Sequence, residues 1–370
     1  MISMTLALNP RINRCFQVML TPFVSDILSR YLGINSILSI NQLGFKHQGK
    51  TPEQKEDDLN KYLSLAKSIG IRTKNILTDT STEYFLFVQE CVKKILESGI
   101  LNIRDGDILR CDCGGLEGAE DILNKLSNRS SKVISNRDEK LVCNLCKTRA
   151  KLKKSRGIYF SRNSKDFHQI PIFYQDWVKN EFLSLGENLD GDLYVSRERN
   201  TNPQIEMNGE VFYLDIDFFC SFIALWISKT HNEKEIIIIA TPQTIVNAFS
   251  IAYITNIISS DINIHIIIPP MIKWSDRTEP NCPNADLFVD KYSALQYRLA
   301  LALGLSWRRK EMIIDGSFLR HSKKIIDVKK HTEQTLTIQT FLMEFDQGKI
   351  RETIIKGIEN KVMEILNLTQ

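Results

Sequence analysis

Four cysteines stand in two close pairs. Cys111 and Cys113 lie in "LRCDCGG", and Cys143 and Cys146 lie in "LVCNLCKTRAK". The pairs are separated by 29 residues. Four thiolates supply the tetrahedral ligand set that a structural zinc ion takes, with Zn–S near 2.3 Å. C-x-x-C is the usual half-site, and C-x-C is a tighter version of it. The competing reading is two incidental pairs of reduced thiols. A knuckle of this kind fixes a small fold and performs no chemistry itself.

Two acids, Asp215 and Asp217, sit in "GEVFYLDIDFF". On a strand, positions i and i+2 point the same way. Such a pair can meet an ammonium group, invite a cation, or raise one member's pKa. The alternative is an exposed strand end. The run "KTRAKLKKSRG", residues 147–157, has six Lys or Arg in eleven positions. That pattern suits phosphate contacts and equally suits a solvated charged segment. In "INQLGFKHQGK", Asn41, Gln42, Gly44 and His47 form a polar loop, with His47 as a candidate contact or a solvated loop residue. Several common signatures are absent: the phosphate loop Gly-x-x-x-x-Gly-Lys, the Gly-x-Ser-x-Gly elbow and the His-Glu-x-x-His zinc helix. The dinucleotide fingerprint is missing too, because "CGGLEG" lies inside the cysteine unit rather than after a strand.

The elements that must position these residues read as α/β. A chain of 370 residues, 43% hydrophobic, carries more than one unit. Residues 3–8 and 36–40 read as short strands, and residues 16–32 as a helix with Gly33 at its C-cap position. The stretch "TPEQKEDDLNKYLSLAKSIGI" is a helix capped by Thr51, with Pro52 first and Gly70 at its end. Residues 81–97 form another helix, capped by Ser81 or Thr82. Residues 106–165 change character and read as an insert with its own anchor. Beyond it, "YQDWVKNEFLSLG" is a helix, and "DLYVSRE" and "GEVFYLDIDFF" are strands. The isoleucine run in "EIIIIAT" marks a strand buried on both faces. A helix, "TIVNAFSIAYITNIISS", and a second buried strand, "INIHIIIPP", complete a second βαβ unit. The expected fold class is therefore a split Rossmann-like parallel sheet with a cysteine zinc-knuckle insert and a helical C-terminal tail. The expected boundaries are 1–105, 106–165, 166–283 and 284–370.

The net charge of +4 fits a nucleic-acid partner without requiring one. No apolar run reaches the roughly 20 residues of a membrane span without polar interruption. "MISMTLALNPRINRC" lacks the basic region of a secretory signal. With modest cysteine usage, the expected location is the cytoplasm.

The order of these segments resembles the class I aminoacyl-tRNA synthetases, and within them the methionyl subgroup. "SDILSRYLGINSILSINQLG" resembles the family's first helix and second strand, and "EYFLFVQECVKKILESGIL" the helix before its connective unit. The four cysteines resemble its zinc knuckle. "LYVSRE", "GEVFYLDID" and "DKYSALQYRLALAL" follow in family order, over about residues 5–300. The resemblance implies an amino acid, ATP with Mg2+ and the acceptor stem of a tRNA as ligands. It matches Asp217 to the aspartate of the family's substrate strand and sets Asp215 where a tryptophan stands. The family's acidic loop is replaced by Asn41, Gln42, Gly44 and His47.

Both phosphate-handling signatures depart from the family. Asn13-Arg14-Cys15-Phe16 occupies the place of His-Ile-Gly-His, whose histidines stabilise the charge that builds during adenylate formation. Asn13 and Arg14 retain donors. The second signature, Lys-Met-Ser-Lys-Ser, is matched by order to Lys273-Trp274-Ser275-Asp276-Arg277, with Arg320–Lys324 as the other candidate. Asp276 stands where the catalytic lysine belongs, and Lys273 and Arg277 are the remaining cations. The departures imply an aminoacyl-tRNA ligase whose chemistry is impaired or redirected. The alternatives are a catalytically inactive pseudo-synthetase that binds amino acid or tRNA, and a zinc-stabilised interaction protein.

Overall fold

The computed structural model describes residues 1–6, 8, 10, 15–44, 47, 49–114, 116–118, 123, 133–137, 140–143, 146–163, 167–188, 190–197, 202–275, 286, 289, 297, 301 and 310–314. In chain order these form β1 (Ile2–Thr5), α1 (Cys15–Leu32), β2 (Asn35–Ile40), α2 (Pro52–Ser68), β3 (Ile76–Thr78), α3 (Thr82–Glu97), β4 (Leu101–Arg110), β5 (Glu117–Gly118), β6 (Val133–Arg137), β7 (Lys140–Cys143) and β8 (Lys151–Arg162). There follow β9 (Ile172–Phe173), α4 (Asp176–Asn188), β10 (Gly191–Tyr194), β11 (Gln204–Met207), β12 (Glu210–Tyr213), α5 (Ile216–Cys220), α6 (Ile223–His231), β13 (Glu235–Ile239), α7 (Ile245–Ile258), β14 (Asn263–Ile267), β15 (Met271–Trp274) and β16 (Glu311–Ile314).

Six strands form one parallel sheet in the order β3-β2-β1-β13-β14-β9. Its two central strands come from distant parts of the chain, with Ile2 opposite Ile236 and Thr5 opposite Ile239. The expected split sheet is therefore present. Ile236, Ile237, Ile238 and Ile239 are all at most 2% exposed. Full burial of each such side chain is worth about 1.5–3 kcal/mol, so β13 anchors the sheet from both faces. The order of strands reverses between β1 and β13. In a sheet of this kind ligands bind beyond the carboxyl ends of the strands at that switch point.

Local chemistry fixes the helices around this sheet. Thr51 caps α2 in a reciprocal box: its side chain accepts from the Gln54 N–H, and the Gln54 side chain accepts from the Thr51 N–H at 3.0 Å. Pro52 occupies the first turn, where no N–H is needed. Ser81 caps α3 by accepting from Tyr84 N. The buried face of α3 is Tyr84, Val88, Cys91, Val92 and Ile95, the three- and four-residue spacing of one helical stripe. Tyr84 also donates to the Phe219 carbonyl at 2.7 Å, which ties α3 to α5.

A second, antiparallel sheet has the order β10-β8-β4-β5. β4 and β8 pair over ten residues, from Leu101 opposite Phe160 to Arg110 opposite Lys151, and carry the chain out to the cysteine unit and back. Two tyrosines lie over glycines on this sheet. A Cβ on Gly106 would sit 2.1 Å from the Tyr159 hydroxyl, and one on Gly157 would sit 2.4 Å from the Tyr194 ring. The Tyr194 hydroxyl bonds Ser155 Oγ at 3.0 Å. β10 then leads through Val195 and Ser196 to Arg197, pinned by Val195 N to Ile158 O and Ile158 N to Ser196 Oγ.

One expectation is corrected here. "GEVFYLDIDFF" is not a single strand: β12 ends at Tyr213, and Asp215 is the N-cap of α5. The Asp215 side chain accepts the backbone N–H of Asp217 at 2.8 Å and of Phe218 at 3.4 Å. An aspartate that offers its carboxylate to the backbone two residues on starts a helix rather than continuing a strand. Asp215 and Asp217 therefore do not share a strand face. Among the described residues no helix is long and apolar enough to cross a membrane. Within 284–370, β16 pairs in parallel with β15, and most of the expected helical tail lies outside the described residues.

Candidate functional site

The four cysteines meet. The sulfurs of Cys111, Cys113, Cys143 and Cys146 all lie within 4.8 Å of one another. Cys111 and Cys113 are 3.4 Å apart and Cys113 and Cys143 are 3.8 Å apart, far beyond the 2.05 Å of a disulfide. Ligands of a tetrahedral ion with 2.3 Å bonds stand about 3.8 Å apart, so the donor set fits a metal.

The two half-sites are built alike. The residue after each second cysteine adopts a left-handed conformation, Gly114 at φ 63° and Lys147 at φ 60°. Each turns its N–H back to the first cysteine: Gly114 N to Cys111 O and Lys147 N to Cys143 O, both at 2.9 Å. Leu116 N also donates to Cys111 Sγ at 3.1 Å. The cluster's own core is small: Leu109, Cys111, Leu116, Leu123, Leu141, Cys143 and Ala150. Burial pushes the Cys111 thiol up to about 12. Desolvation works against ionising Cys146 as well, yet hydrogen bonds from the Thr148 side chain and backbone bring it down to about 6. A thiol must give up its proton to serve as a metal ligand.

At the carboxyl edge of the parallel sheet, the turn after β2 is held by a carboxylate that sequence reasoning missed. Asp79 follows β3 and is 6% exposed. It accepts Gln42 N at 2.7 Å and Leu43 N at 3.1 Å. Burial pushes its carboxyl up to about 6, against the lowering effect of those two bonds and of Lys55. Gly44 N donates to Asn41 Oδ1 at 2.7 Å, and a Cβ on Gly44 would lie 2.6 Å from that oxygen. The side chain of Asn41 thus closes a turn that only glycine fits. His47 is 1% exposed, and its N–H donates to Gly44 O at 2.9 Å. The loop expected to be solvated is buried. An acid at the end of a strand, in "LTDTST", was the signal available for Asp79.

Beside β13, Asp217 lies in the first turn of α5, and its Oδ1 accepts from Asn247 Nδ2 at 3.2 Å. Asn247 is in the first turn of α7, which follows β13. The Asp217 carboxylate therefore stands at the same edge of the sheet as the Asn41–Gly44 turn. Asp215 has a different partner: it pairs with Arg197 Nε, and the two side chains are 13% and 15% exposed. Burial works against the charge of Arg197, and the carboxylates of Asp215 and Glu117 more than offset it, raising its pKa. Arg197 Nη1 is buried and has no hydrogen-bond partner among the described residues. Neither Arg197 nor Glu117 was singled out from sequence, although "LYVSRE" contains the first.

Lys273 is on β15 and donates to Glu311 on β16 at 2.7 Å, with both side chains about half exposed. Its nearest anionic partner is a neighbouring strand's carboxylate. Asn13, Arg14 and Arg277 lie outside the described residues, as do Asp276 and 320–324. The basic run falls on the turn after the knuckle and on β8, where Lys151, Lys153 and Lys154 are exposed. Lys151 pairs with Asp112 at 3.3 Å, and Arg156 pairs with Glu210.

No family model and no curated protein matches this chain. Solved structures do. A methionyl-tRNA synthetase of Mycobacterium tuberculosis in complex with methionyl-adenylate superposes with a TM-score of 0.69 at 9% identity, covering 99% of this chain and 82% of that one. The fold is similar to that of a methionyl-tRNA synthetase. A second methionyl-adenylate-bound structure of that enzyme gives a TM-score of 0.66 at 8% identity, over 99% of this chain and 83% of the other. Its free form gives 0.62 at 9% identity, over 99% and 79%.

Proposed function

We propose that this protein is a methionyl-type synthetase relative that binds an amino acid and the acceptor end of a tRNA, with its adenylating chemistry impaired. The observation that carries this reading is the match, over 99% of the chain, to structures holding methionyl-adenylate. In this reading Asp217 receives the amino-acid ammonium, and Asn247 holds its carboxylate in place. Asp215 and Arg197 position that acid by starting α5. Gly44 and His47 shape the wall beyond β2. Cys111, Cys113, Cys143 and Cys146 hold a structural zinc ion, which fixes a unit whose core is too small to stand alone. The exposed lysines of β8 meet RNA phosphates. A cytoplasmic location goes with such a role.

The impairment follows from residue chemistry. Each donor lost from a catalytic charge-stabilising site costs about 2.7–4 kcal/mol. Asn13 keeps a donor, whereas Phe16 has none, so the loss of one donor costs about 2.7–4 kcal/mol, or roughly two to three powers of ten in rate. Arg14, Lys273 and Arg277 are the cations left to meet a Mg2+-bound ATP.

The test has two parts on the same preparation. Amino-acid-dependent ATP–pyrophosphate exchange is measured with each of the twenty amino acids, and tRNA and amino-acid binding are measured by titration. The expected result is binding with exchange close to background. Robust exchange overturns the impairment, and no binding of either ligand overturns the reading as a whole.

A further inference from the structure

Tyr174, His265 and Glu235 form a hydrogen-bonded row toward the amino ends of β13 and β14, away from the carboxyl edge that carries Asp217. The Tyr174 hydroxyl lies 2.8 Å from His265 Nδ1, and Glu235 Oε2 lies 2.6 Å from His265 Nε2. An ionised carboxylate only accepts, so Nε2 carries the proton that faces Glu235. Nδ1 of the neutral ring is then an acceptor, and the Tyr174 O–H donates to it. Burial works against the charge of Glu235, and the bonds from His265 and Asn263 more than offset it, holding its carboxyl below the usual range. Asn263 Nδ2 donates to Glu235 Oε1, and Asn263 Oδ1 in turn accepts from Gln169 Nε2. The carboxylate behind the imidazole is thus oriented from both sides. His265 is 6% exposed and interrupts a buried run of Ile264, Ile266, Ile267 and Ile268. An isoleucine there would need no polar partner, whereas a buried imidazole must find one for each nitrogen. Tyr174 and Glu235, the two ends of the row, are half-buried rather than sealed. Hydroxyl to imidazole to carboxylate is the donor order of an activated nucleophile.

We propose that Tyr174 is a reactive hydroxyl that takes an acyl group from an activated ester, with His265 as its general base. Glu235 is the positioning residue behind them: it fixes the imidazole and balances the imidazolium that forms. The bond from Tyr174 Oη to the carbonyl carbon forms as the bond from that carbon to the leaving aryloxide breaks. The phenol proton of Tyr174 passes to His265 Nδ1 and then to the leaving oxygen. The products are an acylated tyrosine and a free phenol, and no electrons are exchanged with a third party. Glu235 gives the row a negative charge, so an uncharged carbonyl suits it better than a phosphoanhydride. The row lies apart from the residues assigned above to amino acid and RNA, and it stands or falls without that reading.

The test treats the full chain with p-nitrophenyl acetate and follows the acetylated peptides over time by mass spectrometry. The native chain is compared with His265→Gln and Glu235→Gln. Tyr213, also half-buried, is the internal reference. General-base help contributes about a hundredfold or more, so Tyr174 is expected to acetylate at least about tenfold faster than Tyr213. Each substitution is expected to slow Tyr174 by about tenfold or more while Tyr213 keeps its rate. A hydrogen bond that merely holds the hydroxyl gives the opposite sign, because freeing Tyr174 would then speed its acetylation. The proposal is overturned if Tyr174 reacts no faster than Tyr213. It is equally overturned if either folded variant leaves the Tyr174 rate unchanged or raises it. Circular dichroism checks that each variant is folded. Should His265→Gln unfold, Glu235→Gln decides alone, since Gln keeps an acceptor for His265 Nε2 and removes only the charge.

Discussion

Substituting Asp215 separates two energies that one side chain supplies. Asp215→Asn keeps a good cap for α5, since Asn ranks with Asp at that position. It removes the charge opposite Arg197. The pair is mostly buried, at 13% and 15% side-chain exposure, and removing one member of a buried pair costs about 3–5 kcal/mol because the other charge is left stranded. Glu117 remains within electrostatic reach of Arg197, so the expected cost is at the low end, about 3 kcal/mol. Asp215→Ala loses the same charge and also the two N–H acceptors at the start of α5, which adds about 1 kcal/mol. Against a total stability on the order of 5–15 kcal/mol, both shifts are large. Urea unfolding followed by far-UV circular dichroism measures them as midpoint changes at unchanged slope. A loss below about 1 kcal/mol for Asp215→Asn would show that the pair behaves as an exposed one and would refute the reasoning. Equal losses for Asn and Ala would refute the cap.

Three further outcomes follow from the geometry. Asp79 has a folded pKa of about 6 against 3.8 when exposed. Its burial cost is therefore absent below pH about 4 and complete above about 6, so its contribution lowers stability by about 3 kcal/mol as pH rises through that window. Asp79→Asn should flatten that component in urea midpoints measured from pH 4 to 7. Gly157→Ala should cost about 1–3 kcal/mol, because its Cβ would displace the Tyr194 ring; a thermal scan showing no change would contradict the packing of that tyrosine on the sheet. Cys113→Ser should reduce bound zinc from about one equivalent to a small fraction of one, read by mass spectrometry of the metal in purified protein.

The parts of the fold that were legible in sequence are those where one local rule decides. The isoleucine run at 236–239 admits only a strand buried on both faces. Thr51-Pro52 and Ser81 announce their helices through backbone donors that need a partner. The cysteine pairs announce a cluster through donor chemistry and spacing. What was not legible depends on partners far away in the chain. Asp215 reads as one residue of an alternating strand until its carboxylate is seen to hold two amides, and the segment then turns into a helix. Asp79 looks like one more polar residue in "LTDTST", because its role is to close a turn some 37 residues earlier. His47 reads as a solvated loop residue, yet it is buried, with its backbone N–H bonded to the Gly44 carbonyl. The charge of Glu117 gave no hint of its burial, at 2% exposure.

The pairing of β1 with β13 has a consequence for how the chain is made. Ile2–Thr5 is synthesised more than two hundred residues ahead of its partner Ile236–Ile239. At about 5–20 residues per second the wait is on the order of 10–50 s. Through that interval the nascent first half carries an apolar strand with one bare edge, the kind of surface that recruits wrong partners. Chaperone capture during translation should therefore peak before residue 240 emerges and fall once β13 has closed the gap.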